Sequence, residues 1–234
     1  MLFILTGDIQ IGKTRWLSAL VDDLARRGVT VFGVLSPGDW RERPNGEVGG
    51  ESARGMAGAG RYEKFGIDCV LLPSGERIRF AERGDLARAA GAYDGASQSA
   101  KAQLGWAIDD AAIGCVNEHF ERIADEAGAA GIEGACRARE IASTERASLS
   151  AAPCGLLVVD ELGRLELLRG EGFSSAMALL DRGETPIYRT AVVIVRDALA
   201  GIARERLDAA WGGDVRLIGP DDAGRTAIEA ALGL

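Results

Sequence analysis

The sequence predicts an α/β fold, a three-layer sandwich with a mostly parallel central sheet covered by helices. Three observations predict it. Short, continuous apolar runs such as LFIL (2–5), VTVFGVL (29–35) and LLVV (156–159) suit strands buried on both faces. Amphipathic helical stretches alternate with them, as βαβ units require. Between the first run and the first helical stretch stands GDIQIGKT, from Gly7 to Thr14.

The elements follow in order. The run 2–5 is the first strand. KTRWLSALVDDLARRG places Trp16, Leu17, Leu20, Val21 and Leu24 at helical spacing, and Gly28 stands where a helix ends. VTVFGVLSP is the second strand, which completes a βαβ unit. Residues 44–60 are glycine-rich and aperiodic, which reads as a mobile loop. IDCVLLPSGERIRF reads as a hairpin turning at Pro73 to Gly75. Leu104 to Ala127 has a helical pattern, and 128–153, rich in Ala, Gly and Ser, reads as an insertion. GLLVVDELG is a further buried strand. A helix over 173–182, a strand over 190–195, a helix over 197–210, a strand over 215–218 and a helix over 222–232 close the chain. The 234 residues are read as one domain carrying those two irregular segments.

Composition narrows the function. Net charge is −8, which argues against a nucleic-acid partner, since binding phosphates needs a basic face. Cys69, Cys115, Cys136 and Cys154 form no CxxC pair and His119 is the single histidine, so a structural zinc site is disfavoured and free thiols are expected. The first residues lack a basic lead and a cleavage site, and no run approaches a membrane span. A cytoplasmic location and no membrane partner are the expectation.

GDIQIGKT has the spacing of a phosphate-binding loop, Gly-x4-Gly-Lys-Thr. Gly7 and Gly12 let the backbone curl around a phosphate chain, so that its N–H groups form an anion nest at a helix N-terminus. The expected nucleotide-binding residues are Gly7, Asp8, Ile9, Gln10, Ile11, Gly12, Lys13, Thr14 and Arg15. Lys13 reaches the β- and γ-phosphates and the Thr14 hydroxyl ligates Mg²⁺. Arg15 either reaches an α-phosphate or is solvated, and solvation is preferred.

A phosphate loop needs a partner for the metal. Asp160 ends an apolar strand, where it can hold Mg²⁺ directly or through water, and Glu161 follows, where it can take a proton from an attacking water. DELG also fits the Asp-x-x-Gly of GTPase switches, but no Asn-Lys-x-Asp motif follows, which disfavours a Ras-like fold.

GDIQIGKT, QLGWAIDDAAIGCVNEHFERIA and LLVVDELGRLELL, in that order, resemble the small P-loop nucleoside-triphosphatases described from hyperthermophiles and found in animals as the cancer-related nucleoside-triphosphatase. That family's last motif reads like Asp-Glu-Ile-Gly-Lys-Met-Glu-Leu. Asp160, Glu161, Gly163 and Glu166 fill the matching places, with Arg164 for the lysine. VFGVLSP and VVIVRDAL look like the family's second and late strands, and the hairpin near 66–80 also sits where the family has one. The likeness spans the chain apart from 128–153. It implies a RecA-like fold and slow, Mg²⁺-dependent hydrolysis of several NTPs to NDP and phosphate. Lys13 and Thr14 would serve phosphates and Mg²⁺, Asp160 the metal, and Glu161 as base. Arg15 departs from the family, which has a second Thr or Ser there.

Remaining residues carry weaker readings. Arg196 and Arg164 are candidates for transition-state charge neutralisation, although a solvated charge is preferred for each. His119 is read as packed or exposed rather than catalytic. Trp16 and Trp106 fit apolar helix faces, and Trp40 is a candidate for base stacking, though that is the less favoured reading. Three functions compete: an NTP hydrolase, which is preferred; a small-molecule kinase; and a nucleotide-dependent switch or adaptor that binds a protein partner through the insertions.

Overall fold

The computed structural model describes residues 1–8, 11–42, 62–141 (backbone alone from 133) and 155–234. The glycine-rich segment 44–60 and residues 142–153 of the expected insertion lie outside the described residues.

The strands are β1 (Leu2–Leu5), β2 (Val31–Leu35), β3 (Gly38–Glu42), β4 (Tyr62–Leu72), β5 (Glu76–Arg83), β6 (Trp106–Ile108), β7 (Gly155–Leu162), β8 (Tyr188–Val195) and β9 (Val215–Ile218). The helices are α1 (Lys13–Arg26), α2 (Gly84–Ala89), α3 (Gln98–Lys101), α4 (Asp110–Ile141), α5 (Ser174–Leu180), α6 (Asp197–Leu207) and α7 (Asp222–Ala231), and a π-helical turn spans Leu165–Arg169. Among the described residues, one sheet runs β6-β5-β4-β2-β7-β8-β1-β9, with β3 paired to β4.

Helices cover both faces of the parallel strands, and the apolar runs show why. Along β1, Leu2 and Ile4 enter one core cluster while Phe3 and Leu5 enter the other. Along β7, Leu157 and Val159 face the first cluster, and Leu156 and Val158 face the second. A strand with no solvent face has no reason to alternate apolar with polar residues. The first cluster packs against α4, α5 and α6 through Phe120, Met177 and Ala203; the second packs against α1 and α7 through Leu17, Leu24 and Ile228.

The expected mostly parallel sheet is corrected. Only β2, β7, β8, β1 and β9 are mutually parallel. The chain from β3 to β6 adds an antiparallel half, joined where β4 runs against β2. The physical reason is connectivity. A parallel return needs a crossover, whereas the tight turn at Pro73–Gly75 reverses the chain directly and leaves the next strand antiparallel. The helix expected from Leu104 starts only at Asp110, because Trp106–Ile108 pairs with β5 as an edge strand. Trp106 is therefore half-buried on a strand and not in a helix core. The helical backbone also runs further than expected, to Ile141.

β2 depends on Gly33. Its φ is +110°, and a Cβ there would lie 1.9 Å from the carbonyl oxygen of Val158, its partner in β7. The carbonyl of Gly33 also meets the buried His119 ring nitrogen at 3.1 Å, which places His119 in the packed class. Gly33→Ala is expected to lower unfolding stability by roughly 3 kcal/mol or more, read as a lower denaturant midpoint with an unchanged slope.

Candidate functional site

The site forms where β1, β7 and β8 end. Gly7 (φ +129°) and Gly12 (φ +92°) bend the chain from β1 into α1 through backbone that side chains rarely adopt. The first helical hydrogen bond runs from the Trp16 amide to the Gly12 carbonyl, so the amides of the opening turn have no partner within the helix. Lys13 arches over the loop, its Nζ donating to the carbonyls of Gly7 (2.7 Å) and Asp8 (2.8 Å). Burial is the main cause lowering its pKa, opposed by nearby Glu161. Arg15 is exposed. Ile9 and Gln10 lie outside the described residues.

The Thr14 hydroxyl donates to Asp160 Oδ1 at 3.1 Å. The contact spans β8, which lies between β1 and β7. Asp160 is 1% exposed. Its Oδ2 accepts the Ser36 amide at 2.8 Å, and the Ser36 hydroxyl donates to the Asp160 carbonyl at 3.1 Å. Sequence reasoning missed Ser36. The signal was available in VLSP, since the first residue past β2 neighbours the residue that ends the apolar part of β7. Burial pushes the Asp160 carboxyl up to about 6 from 3.8, against the Ser36 amide bond.

Glu161 sits in a β-bulge. Between Val159 and Leu162 the strand β7 advances three residues while β8 advances two, from Val193 to Val195. Glu161 absorbs the extra residue at φ +76°, a conformation that costs a non-glycine residue on the order of 1 kcal/mol. Asp160 follows Leu156 and Val158 onto the α1 face by ordinary alternation, and the bulge falls on Glu161, which stays partly exposed. Arg196, just past β8, donates to Glu161 Oε1 through Nε (3.1 Å) and Nη2 (2.7 Å). Sequence reasoning preferred a solvated Arg196; it is instead ion-paired, with its side chain 57% exposed.

Glu166 is buried and structural. Its Oε2 accepts the Gly163 amide (2.8 Å) and its Oε1 the Phe173 amide (3.1 Å), which ties down both ends of the π-helical turn. Burial raises its pKa. Arg164 is engaged elsewhere, donating to the carbonyls of Ala102 (3.3 Å) and Gln103 (3.5 Å) beside a hollow of about 260 Å³. Trp40 lies on β3 at 43% exposure. Cys69 is buried and Cys115 exposed, both as free thiols; Cys136 is described by its backbone alone, and Cys154 lies outside the described residues.

The donor set can be compared with a cation's needs. Thr14 and Asp160 present hard oxygens side by side, which suits Mg²⁺, a metal held by one or two protein oxygens with water and phosphate completing its shell. Asp160 is also a nearly inaccessible carboxylate that receives hydrogen bonds but has no ion pair among the described residues. Those residues fit the metal. Among the described residues no group of three or more His, Cys, Asp or Glu side chains forms a metal cluster, and no helix is long and apolar enough to cross a membrane.

No family model matches the chain, and no curated protein matches it in sequence. In structure it is similar to a human cancer-related nucleoside triphosphatase, whose solution structure superposes with a TM-score of 0.52 at 17% identity, over 99% of this chain and 94% of that one. The chain thus has a nucleoside-triphosphatase-like α/β fold.

Asp160 has a stability consequence. The fold binds its proton more tightly than the unfolded chain does, so its contribution to stability falls as pH rises from about 4 to about 6 and is constant above that. Asp160→Asn removes the buried charge and keeps an acceptor for Ser36. The variant is expected to be more stable than wild type at pH 7.5 by roughly 1–3 kcal/mol, with the gap closing near pH 4. Thermal unfolding of both proteins across that range checks it; a constant difference across the range would refute it.

Proposed function

We propose that this chain is a RecA-like, Mg²⁺-dependent nucleoside triphosphatase that hydrolyses NTP to NDP and phosphate. The observation that carries the reading is the 3.1 Å bond between Thr14 and Asp160 across an intervening strand, with Glu161 on the next residue. A phosphate loop alone binds phosphate. A loop coupled to a buried acid and a neighbouring exposed acid has the parts of a hydrolase.

In this reading the residues from Gly7 to Arg15 cradle the triphosphate, and Lys13 exchanges its loop carbonyls for β- and γ-phosphate oxygens. Thr14 and Asp160 would hold the metal, and bound Mg²⁺ would offset the negative charge of the phosphates. Glu161 takes a proton from the attacking water. Arg196 occupies only Oε1 of that carboxylate, which leaves Oε2 to accept from water. The bulge supports this role, since backbone strain concentrates where a side chain must be aimed. The nucleoside triphosphate is the one partner the site itself argues for, and no side chain singles out one base.

Phosphate release from ATP, GTP, CTP and UTP tests the reading. Wild type is expected to turn over with Mg²⁺ and to stop when EDTA removes it. Lys13→Ala should lose binding and turnover together. Glu161→Gln should keep NTP affinity and lose roughly 100-fold or more in kcat. Full turnover in Glu161→Gln would remove Glu161 as the base. Bound nucleotide with no phosphate release from wild type would point to a switch, and phosphate release only with an added acceptor to a kinase.

A further inference from the structure

The antiparallel half of the sheet carries a half-buried cation, Lys64. Lys64 lies on β4 opposite Trp40 of β3. Its stem packs against the backbone of Gly38, where a Cβ would come within 2.6 Å of Lys64 Cε. Its ammonium stands 5.1 Å from the centre of the Trp106 ring on β6. Three strands thus fix this side chain, none of them from the parallel half that carries the phosphate loop.

Gly38, against which the Lys64 stem packs, lies two residues from Ser36, whose amide bonds Asp160. As with Lys13, Glu161 and Asp160 favour the charge on Lys64. Burial lowers its pKa, opposed by the two acids. The other cations near those acids have partners. Arg196 is bonded to Glu161, Lys13 to the loop carbonyls and Arg164 to the carbonyls of Ala102 and Gln103. Among the described residues Lys64 makes an aromatic contact and no ion pair. A half-buried ammonium without a carboxylate gives up solvation for no local hydrogen bond, a cost that recurs where a protein binds an anion.

We propose that Lys64 is a catalytic residue: its ammonium donates to a non-bridging oxygen of the transferred phosphoryl group and stabilises the charge that develops there. The inference rests on the hydrolase reading. In the step, the bond from water oxygen to the γ-phosphorus forms and the bond from that phosphorus to the bridging oxygen breaks. The electron pair leaves with NDP, and the water proton passes to Glu161. Lys64 keeps its protons and acts through charge and hydrogen bonding. A cation held rigidly on strands costs little reorganisation as the charge shifts, which gives such a group more effect on the transition state than on ground-state binding.

The experiment compares wild type, Lys64→Met and Lys64→Arg, using whichever of the four NTPs wild type hydrolyses fastest. Lys64→Met keeps an unbranched apolar stem against Gly38 and Trp106 and removes the charge. It is expected to lose roughly 100-fold in kcat with KM within about 3-fold of wild type. Lys64→Arg is expected to recover to within about 10-fold of wild type. Aluminium fluoride should tighten NDP binding to wild type and not to Lys64→Met, since it completes a mimic of the transferring phosphoryl group. Thermal unfolding accompanies each variant. A Met variant that melts lower yet keeps its kcat would make Lys64 structural and overturn the proposal. A raised KM with kcat intact would overturn it in favour of ground-state binding. Should the Met variant not fold, the Arg variant decides: full aluminium fluoride enhancement with measurable turnover supports the proposal, and its loss in a folded Arg variant overturns it. Wild type that releases no phosphate would overturn the hydrolase reading first and this inference with it.

Discussion

The Asp160 carboxylate holds the site together. One oxygen takes the Thr14 hydroxyl from the first turn of α1, the other takes the Ser36 amide from the end of β2, and its own strand supplies the third anchor. Those elements are far apart in the chain and are not all neighbours in the sheet, since β8 separates β1 from β7. A charge this buried destabilises the fold unless something binds to it, and two hydrogen bonds offset that only in part, as its raised pKa records. The group is costly to stability and well placed for a cation, and sites that bind cations and phosphates are often built on this kind of compromise.

The bulge at Glu161 follows from the same constraint. A regular strand would send neighbouring side chains to opposite faces and drive one acid into a core layer. Asp160 keeps the α1 face of Leu156 and Val158, and the extra residue at positive φ holds Glu161 at the open end instead, within reach of Arg196. Placing the two acids on adjacent residues therefore carries a backbone penalty. Glu166 steadies the turn that follows by accepting two amides, so the segment after the bulge is fixed by a buried carboxylate as well.

Much of the parallel half was legible in the sequence. Strands β1, β2, β7 and β8 lie where the apolar runs predict, because a doubly buried strand leaves a continuous signal; β9 also lies where expected, although it is a partly exposed edge strand. The glycine loop before α1 and the acid pair near the end of β7 lie where the sequence places them, because each follows directly on an apolar strand run. The antiparallel half was less so. The hairpin of β4 and β5 showed through Pro73 and Gly75, but β3 and β6 are short, half-exposed edge strands whose composition does not set them apart from loop. Ser36 and Lys64 were missed for another reason: their roles arise from pairings between strands distant in sequence, and no local period encodes which strand a residue will face. Trp106 misled because an apolar residue before a helix fits either a helix face or a final strand.

The seam between β2 and β4 gives the two halves different tasks. The parallel half, closed on both faces by helices, presents Lys13, Thr14, Asp160 and Glu161 at the carboxyl ends of its strands, where open α/β sheets place their ligands. The antiparallel half is covered less completely and carries surface ion pairs such as Arg79 with Asp39 and Asp68. Such pairs contribute little stability, so β3–β5 depends on backbone pairing to the parallel half through β4. The Lys64 stem sits against Gly38 only because that pairing holds. A shift of β4 against β2 would move its ammonium and would also reach Asp160, because Cys69 of β4 meets the Ser36 hydroxyl at 3.8 Å and Ser36 bonds Asp160 through its amide and its hydroxyl. Registry at this seam therefore couples the antiparallel half to the buried acid.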